Sequence, residues 1–195
     1  MSENLESPYS NSSTNSSLSH EYTYINEKLI KKISIILEKV LYLNSNKFQK
    51  TKSSFNCTFI PNISLYNYIY RIQKYSEMED NTLILALIYI DRICCNNFII
   101  NYYNIHKIIL ISIVFAIKYN EDNYYTNSYY SKIGGIKINE FNALEKEFAS
   151  IIDFQFYVKK SLFDKYYKYI NNDYILYNNI SAFIRDDEDL IELNL

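Results

Sequence analysis

The sequence has few of the residues that build metal sites, disulfide frameworks and tight turns. Its 195 residues include two glycines, two prolines, two histidines, three cysteines and no tryptophan. Metal sites need clustered ligands at set spacings, and the histidines, His20 and His106, are far apart in the sequence. Cys94 and Cys95 are neighbours, so an ordinary disulfide between them is implausible. We therefore expect no metal and no disulfide framework, and a reducing compartment such as the cytoplasm or the nucleus.

Charge and hydropathy argue against two classes of partner. The formal net charge is −2 and the pI is about 5.8, whereas nucleic-acid binding usually leaves a basic footprint. The N-terminal residues lack the apolar segment of a signal peptide. The longest apolar run, residues 108–117, is too short to span a bilayer. We expect neither a nucleic acid nor a membrane as partner.

Motifs for catalysis are missing as well. The adjacent glycines, Gly134 and Gly135, are not followed by Lys-Ser/Thr, and the chain has no Walker or G-x-G-x-x-G pattern. Glu145 and Glu147 are two residues apart, so on a helix they point to different faces and do not form an acid–base pair. Cys94 is interpreted as a small packing residue. We predict that the chain is not an enzyme and has no cofactor and no small-molecule substrate.

Hydrophobic periodicity predicts an all-α protein. Apolar residues recur at helical spacing over residues 21–43. Residues 81–95 and 105–120 are apolar around nearly the whole helical circumference, as expected for helices at the centre of a bundle. Two buried strands are the rival interpretation, but long runs without a breaker favour helices.

Further helices and their starts are indicated by amphipathic spacing and by capping residues. Amphipathic stretches follow Ser64, Asn139 and Ser161, and a last one is expected in residues 173–184. Ser64, Asn104 and Asn139 are candidate N-caps because their side chains can accept hydrogen bonds from free backbone N–H groups. Glycine tolerates positive φ and close backbone approach, so the glycine pair predicts a tight turn that delivers the chain to Asn139.

An ordered set of motifs resembles the cyclin box, in particular that of the P/U-type cyclins, the family of the fungal phosphate-response cyclin. "ALIYIDRI" matches the Tyr-x-Asp-Arg helix, and "FAIKY" matches the end of an apolar helix in Ala-x-Lys. "YYSKIGGI" matches a short aromatic helix with its Gly-Gly turn, and "NALEKEFASIIDF" the helix whose glutamate precedes an apolar-Asp-Phe ending. The set covers roughly residues 60–170.

The resemblance implies the architecture of the chain. We expect a single cyclin box, a five-helix bundle around a central apolar helix, with an extra N-terminal helix and short C-terminal helices. The predicted divisions are a disordered Ser/Asn-rich tail (1–20), the N-terminal helix and linker (21–60), the cyclin box (61–171), and a C-terminal helix with an acidic tail (172–195). The N-terminal helix packs against the box or against a kinase, and both possibilities stay open.

The resemblance also implies the function. Cyclins are regulatory subunits that bind and activate a cyclin-dependent serine/threonine kinase by docking on its helix C. The alternative is a cyclin-fold scaffold or a transcription-factor-like binding module that activates no kinase. The apolar substrate-docking patch of mitotic cyclins is not expected, because the matching positions are mostly polar. These positions are Tyr70, Gln73, Lys74 and Glu77.

The site residues are carried over by position. The resemblance assigns Lys118 and Glu145 to the charged pair that hydrogen-bonds kinase backbone beside helix C. Glu147 competes with Glu145, and counting back from Phe154 favours Glu145.

Apolar contacts are expected around this pair, and a second set of residues is assigned structural roles. The kinase-facing positions are Phe115, Tyr119, Ala149, Phe154 and Phe156, with a core role for Phe115 and Phe154 left open. Arg71 and Asp91 match a buried pair that ties the first box helix to the second. Gly134 and Gly135 match the turn that sets the Glu145 helix against the Lys118 helix.

Overall fold

The computed structural model describes residues 25–47 and 52–172, and within these ranges all regular secondary structure is helical. The helices are α1 (Glu27–Leu43), α2 (Leu65–Ser76), α3 (Asp80–Cys95), α4 (Ile105–Asn120), α5 (Asn127–Gly134), α6 (Ile138–Ile151) and α7 (Lys160–Asn171). The all-α prediction is therefore confirmed. The predicted helix in residues 173–184 and both predicted tails lie outside the described residues.

The two apolar segments form α3 and α4, which pack against each other at the centre of the bundle. Ten residues of α3 and twelve of α4 are buried, as their uniform hydrophobicity predicts. α4 also contacts α2, α5 and α6, so it is the central apolar helix. Within the described ranges, no helix combines the length and hydrophobicity needed to cross a membrane.

Helix α1 packs on the bundle itself, against α2 and α7. Its buried stripe includes Ile30, Ile33 and Leu37, at the spacing expected for one helical face. The Asn26 side chain caps the helix by accepting from the Leu29 N–H (3.1 Å), and it donates to Asp80 at the start of α3 (2.8 Å). The open question about the N-terminal helix is thus answered in favour of packing against the bundle.

The three candidate N-caps have different outcomes. Ser64 caps α2, because its hydroxyl accepts from the Asn67 N–H at 3.2 Å. Asn104 precedes α4, but its side chain accepts from the Asn101 N–H (2.9 Å) and so orders the preceding turn. Asn139 was predicted wrongly, since Lys137 takes the extended N-cap conformation and α6 already begins at Ile138.

The glycine pair joins α5 to α6 where α5 comes very close to α4. A Cβ atom on Gly134 would lie 2.1 Å from Cδ2 of Leu110, so no larger residue fits there without displacement. The Gly134 carbonyl accepts from the Tyr68 hydroxyl of α2 at 3.1 Å. Gly135 ends α5 with φ +72°, a left-handed conformation that favours glycine. The pair therefore sets the position of α5 against α4.

Candidate functional site

Lys118 and Glu145 form an ion pair between the last turn of α4 and the middle of α6. Lys118 Nζ lies 2.6 Å from Glu145 Oε1, and the two side chains are 24% and 14% exposed. Fully exposed ion pairs lose much of their attraction to solvent screening. Because this pair is partly buried, it keeps more of that attraction. The structure thus brings together the two residues predicted as the centre of the site.

Two asparagines complete the pair, and sequence reasoning missed both. Asn127, the first residue of α5, accepts from Lys118 Nζ and donates to Glu145 Oε2 and to Asn142 Oδ1, the last at 2.9 Å. Lysine has three N–H donors and a carboxylate about four lone-pair positions. One donor of Lys118 and about two acceptor positions of Glu145 therefore remain for a partner. Nothing in the sequence distinguishes Asn127, since asparagine is abundant throughout the chain.

Glu147, the competitor of Glu145, points elsewhere. Its Oε2 accepts from the Ser54 N–H at 3.0 Å, in the segment that precedes α2. Residues two apart on a helix point to different faces, so only one of these glutamates can face the end of α4.

Aromatic side chains extend from the ion pair across the C-terminal end of α4. The Phe156 ring stacks on Phe115 with centroids 4.5 Å apart, and Phe115 stacks in turn on Phe148 at 5.4 Å. Tyr119 lies 5.8 Å from Phe156 and is 53% exposed. The half-buried Phe115 and Phe156 thus form the floor of an apolar surface, and Tyr119 stands at its edge.

The residues after α6 add the most exposed part of this surface. Phe154 is 70% exposed and is not a core residue, while Tyr157, which the sequence did not indicate, is 65% exposed. Ala149 is buried, and its carbonyl accepts from the Phe154 N–H at 2.8 Å. We define the aromatic surface as Phe115, Tyr119, Phe154, Phe156 and Tyr157.

A comparison with protein-family models matches residues 4–156 of the chain to the model described as Cyclin. The chain belongs to the cyclin family. The motif-based prediction of the family is thereby confirmed, and the matched residues contain helices α1 to α6, with the apolar α4 at the centre of the bundle.

Individual relatives agree with the U-type assignment. Cyclin-U2-1 of Arabidopsis thaliana is 35% identical over 146 residues, which cover 71% of this chain and 65% of that protein. Cyclin-U4-3 of the same plant is 36% identical over 155 residues, covering 78% and 71%. The PHO85 cyclin-like protein psl1 of Schizosaccharomyces pombe is 33% identical over 150 residues, covering 68% and 62%. The match thus spans slightly less than two thirds of Cyclin-U2-1 and psl1.

One predicted contact of this cyclin is corrected by the structure. Arg71 does not pair with Asp91; its guanidinium lies over the Tyr68 ring, 5.1 Å from the centroid. Asp91 instead accepts from the Tyr166 hydroxyl of α7 at 2.7 Å. The reason is packing, since α3 lies against α4 and α7, while α2 lies against α1, α4 and α5. Burial raises the pKa of Asp91, and the hydrogen bond from Tyr166 opposes that rise.

Proposed function

We propose that this cyclin binds a cyclin-dependent serine/threonine kinase and activates it by docking on the kinase's helix C. The observation that supports this most is the Lys118–Glu145 pair, which is held ready at the edge of the aromatic surface. Kinase activity requires an ion pair between a strand lysine and a helix C glutamate. A ligand that binds better to the conformation containing that pair shifts the kinase towards it.

The Lys118–Glu145 pair contributes to binding by presenting its charged groups to the kinase in a fixed orientation. Asn127 bonds to both charged groups and is itself held by Asn142 before any partner arrives, so little side-chain entropy is lost on binding. The remaining donor of Lys118 and acceptors of Glu145 then meet backbone groups beside helix C. Such charged contacts fix register and specificity more than they add raw affinity.

The aromatic surface supplies the apolar part of the interface. Exposed aromatic residues that become buried carry much of the binding free energy at protein interfaces. Phe154 and Tyr157 are the most exposed of the group, and burying them would also exclude water from the neighbouring ion pair. An apolar aromatic surface around one ion pair suits a protein partner, and the chain's net charge of −2 does not suit nucleic acid.

The first kinase to test is one of the PHO85 type, because the name of the fission-yeast relative couples a similar cyclin to PHO85. The full chain and the purified kinase are mixed, and the dissociation constant and the rate of peptide phosphorylation are measured. The test variant is Phe154→Glu, which places a charge in the aromatic surface.

The matched control is Phe59→Glu, at an equally exposed phenylalanine (71% against 70%). Phe59 lies two residues after Cys57, whose backbone N–H donates to the Tyr103 carbonyl just before α4 begins. Phe59 is therefore near the N-terminal end of α4, whereas Tyr119 is at its C-terminal end. We expect wild type and Phe59→Glu to bind and activate, and Phe154→Glu to bind at least thirtyfold more weakly, about 2 kcal/mol. Binding without activation would favour the scaffold alternative. A wild-type chain that binds neither this kinase nor other cyclin-dependent kinases would contradict the proposal.

A further inference from the structure

The segment after α6, residues 152–158, holds an unfavourable backbone conformation. Asp153 and Phe154 have φ values of +50° and +55°, in the left-handed region that bulky residues rarely occupy. Residues 155–159 have no regular secondary structure. Consecutive residues in such conformations persist only where surrounding structure holds them. Other parts of the chain must therefore hold residues 152–158 in place.

Two side chains of α3 hold this segment by its backbone. The Tyr89 hydroxyl donates to the Phe156 carbonyl at 2.8 Å. The Arg92 guanidinium donates to the carbonyls on either side, that of Gln155 through Nη1 and that of Tyr157 through Nη2, the latter at 2.8 Å. Three successive carbonyls are thus bound by two residues that lie three positions apart on one helix face.

The same two residues also hold the Phe156 ring. Tyr89 meets Phe156 edge-on with centroids 5.8 Å apart, and the Arg92 guanidinium lies over the Tyr89 ring at 5.8 Å. On its other side Phe156 stacks on Phe115. With Phe156 fixed inward, the exposed residues Phe154 and Tyr157 are presented outward.

We propose that Tyr89 and Arg92 are positioning residues for kinase binding: they hold residues 152–158 in the strained form that presents Phe154 and Tyr157. Tyr89 is fully buried, so it acts on a partner indirectly, through the segment whose backbone it binds. The affinity gain comes from pre-organisation, because a segment already ordered loses less freedom on binding. The proposal depends on the proposed function for its partner, the kinase.

The chain offers a matched pair of tyrosines for the test. Tyr89→Phe and Tyr68→Phe each remove one hydroxyl that donates to a backbone carbonyl, at 2.8 Å and 3.1 Å. Both tyrosines are buried. Only the Tyr89 hydroxyl binds residues 152–158, since Tyr68 binds Gly134, so Tyr68→Phe controls for a general loss of stability.

The order of the segment can be read without any kinase. The chain has no tryptophan, so Phe154→Trp creates a single indole probe in the segment of the full chain. Adding Arg92→Leu or Tyr89→Phe to this background is expected to lower the indole anisotropy and to increase quenching by acrylamide. Adding Tyr68→Phe is expected to change neither, when all variants are compared at a temperature at which they are folded.

The kinase affinity is measured with Phe154 in place and a purified PHO85-type kinase. We expect Arg92→Leu to bind about tenfold more weakly, because two charge-assisted hydrogen bonds are lost. Tyr89→Phe should bind about fivefold more weakly, since one neutral bond is lost. Arg92→Lys, with its charge kept but its planar fork gone, should fall between wild type and Arg92→Leu. Tyr68→Phe, which loses its bond at the Gly134 turn and none to residues 152–158, should weaken binding less than Tyr89→Phe does.

The outcomes separate the two proposals. Wild-type affinity and anisotropy in both Arg92→Leu and Tyr89→Phe would overturn the positioning role and leave the proposed function intact. Equal weakening by Tyr68→Phe would also overturn it, because the effect would then be general. A wild-type chain that binds no kinase would overturn the proposed function and the kinase part of this proposal, while the fluorescence would still decide whether α3 orders the segment.

Discussion

Two lysine–glutamate pairs join the same two helices, α4 and α6, and they differ in what surrounds them. Lys107 Nζ lies 2.8 Å from Glu140 Oε1, and Lys118 Nζ lies 2.6 Å from Glu145 Oε1. The side chains of the first pair are 11% and 36% exposed, and those of the second 24% and 14%. By distance and burial alone, the two pairs have equal claims to a functional role.

The surroundings of the Lys107 pair belong to the chain itself. Lys107 Nζ also donates to the Ser54 carbonyl at 3.0 Å, and the neighbouring Phe55 is fully buried, in ring contact with Phe148. This end of the α4–α6 contact is therefore covered by residues 52–56. Lys118, at the other end, lies beside exposed aromatic residues that no described segment covers.

The contrast shows what separates a structural ion pair from one available to a partner. Its geometry does not distinguish a structural role from an interface role, whereas its cover does. We therefore propose that the covered Lys107 pair serves folding and that the uncovered Lys118 pair serves partner binding.

The largest expected effect on stability comes from a substitution that displaces α5. This helix supplies Asn127 to the Lys118 pair and not to the Lys107 pair. Gly134→Val would drive its side chain into Leu110, and overpacking of this kind costs about 1–3 kcal/mol. We expect a loss near 3 kcal/mol in urea unfolding, with kinase binding weakened as well. The control is Gly135→Asn, because asparagine tolerates the left-handed backbone conformation of this position. It should lower the free energy of unfolding by less than about 1 kcal/mol. Unchanged stability in Gly134→Val would refute the close approach of α5 to α4.

Asp91, which accepts from the Tyr166 hydroxyl, is a partly buried carboxylate with a structural role. Its contribution to stability can be compared with that of the two lysine–glutamate pairs. Tyr166→Phe would leave Asp91 buried without its donor, for which we expect a loss of about 1.5–3 kcal/mol in thermal unfolding. Tyr167→Phe, at a more exposed position of the same helix, should be neutral, and kinase affinity should not change in either variant.

The cost of Tyr166→Phe should depend on pH. Burial raises the folded-state pKa of Asp91, so ionised Asp91 opposes folding above that pKa. Stability linked to this residue therefore rises as the pH falls through the folded pKa towards the unfolded value. Removing the Tyr166 donor enlarges the penalty at neutral pH, so the deficit of the variant should shrink on acidification. A deficit that is constant between pH 7 and pH 4 would exclude Asp91 as its source.

The smallest expected effect comes from the covered pair. Lys107→Ala removes the contacts with Glu140 and with the Ser54 carbonyl, and should lower stability by about 1 kcal/mol in chemical denaturation. Hydrogen exchange should increase in residues 52–56. If exchange increased instead around the α5–α6 turn, the assignment of Lys107 to the covering segment would be incorrect.

The sequence was sufficient where structure is decided locally. α4 was predictable because an apolar run of this length without a breaker favours a buried helix over a strand. The Ser64 cap depends on a residue only three positions away, and the glycine pair was conspicuous because the chain has no other glycine.

The features that could not be predicted from the sequence depend on contacts between residues far apart in the chain. Arg71 and Asp91 were paired wrongly because their helices turn towards different neighbours. Asn127 acquires its role only when α5 is placed across the end of α4. Tyr157 is exposed because residues 152–158 follow an irregular path with left-handed Asp153 and Phe154, which no periodic pattern predicts.

The most direct test is the dissociation constant of the kinase for Lys118→Ala and Lys107→Ala, measured side by side on folded protein. The two variants remove the same side chain from the same helix at its two ends. We predict that Lys118→Ala binds at least thirtyfold more weakly, since about 2 kcal/mol or more is lost when one partner of a half-buried pair is removed. Lys107→Ala should stay within twofold of wild type. Equal losses in both variants, or no loss in Lys118→Ala, would contradict the assignment of the uncovered pair to kinase binding.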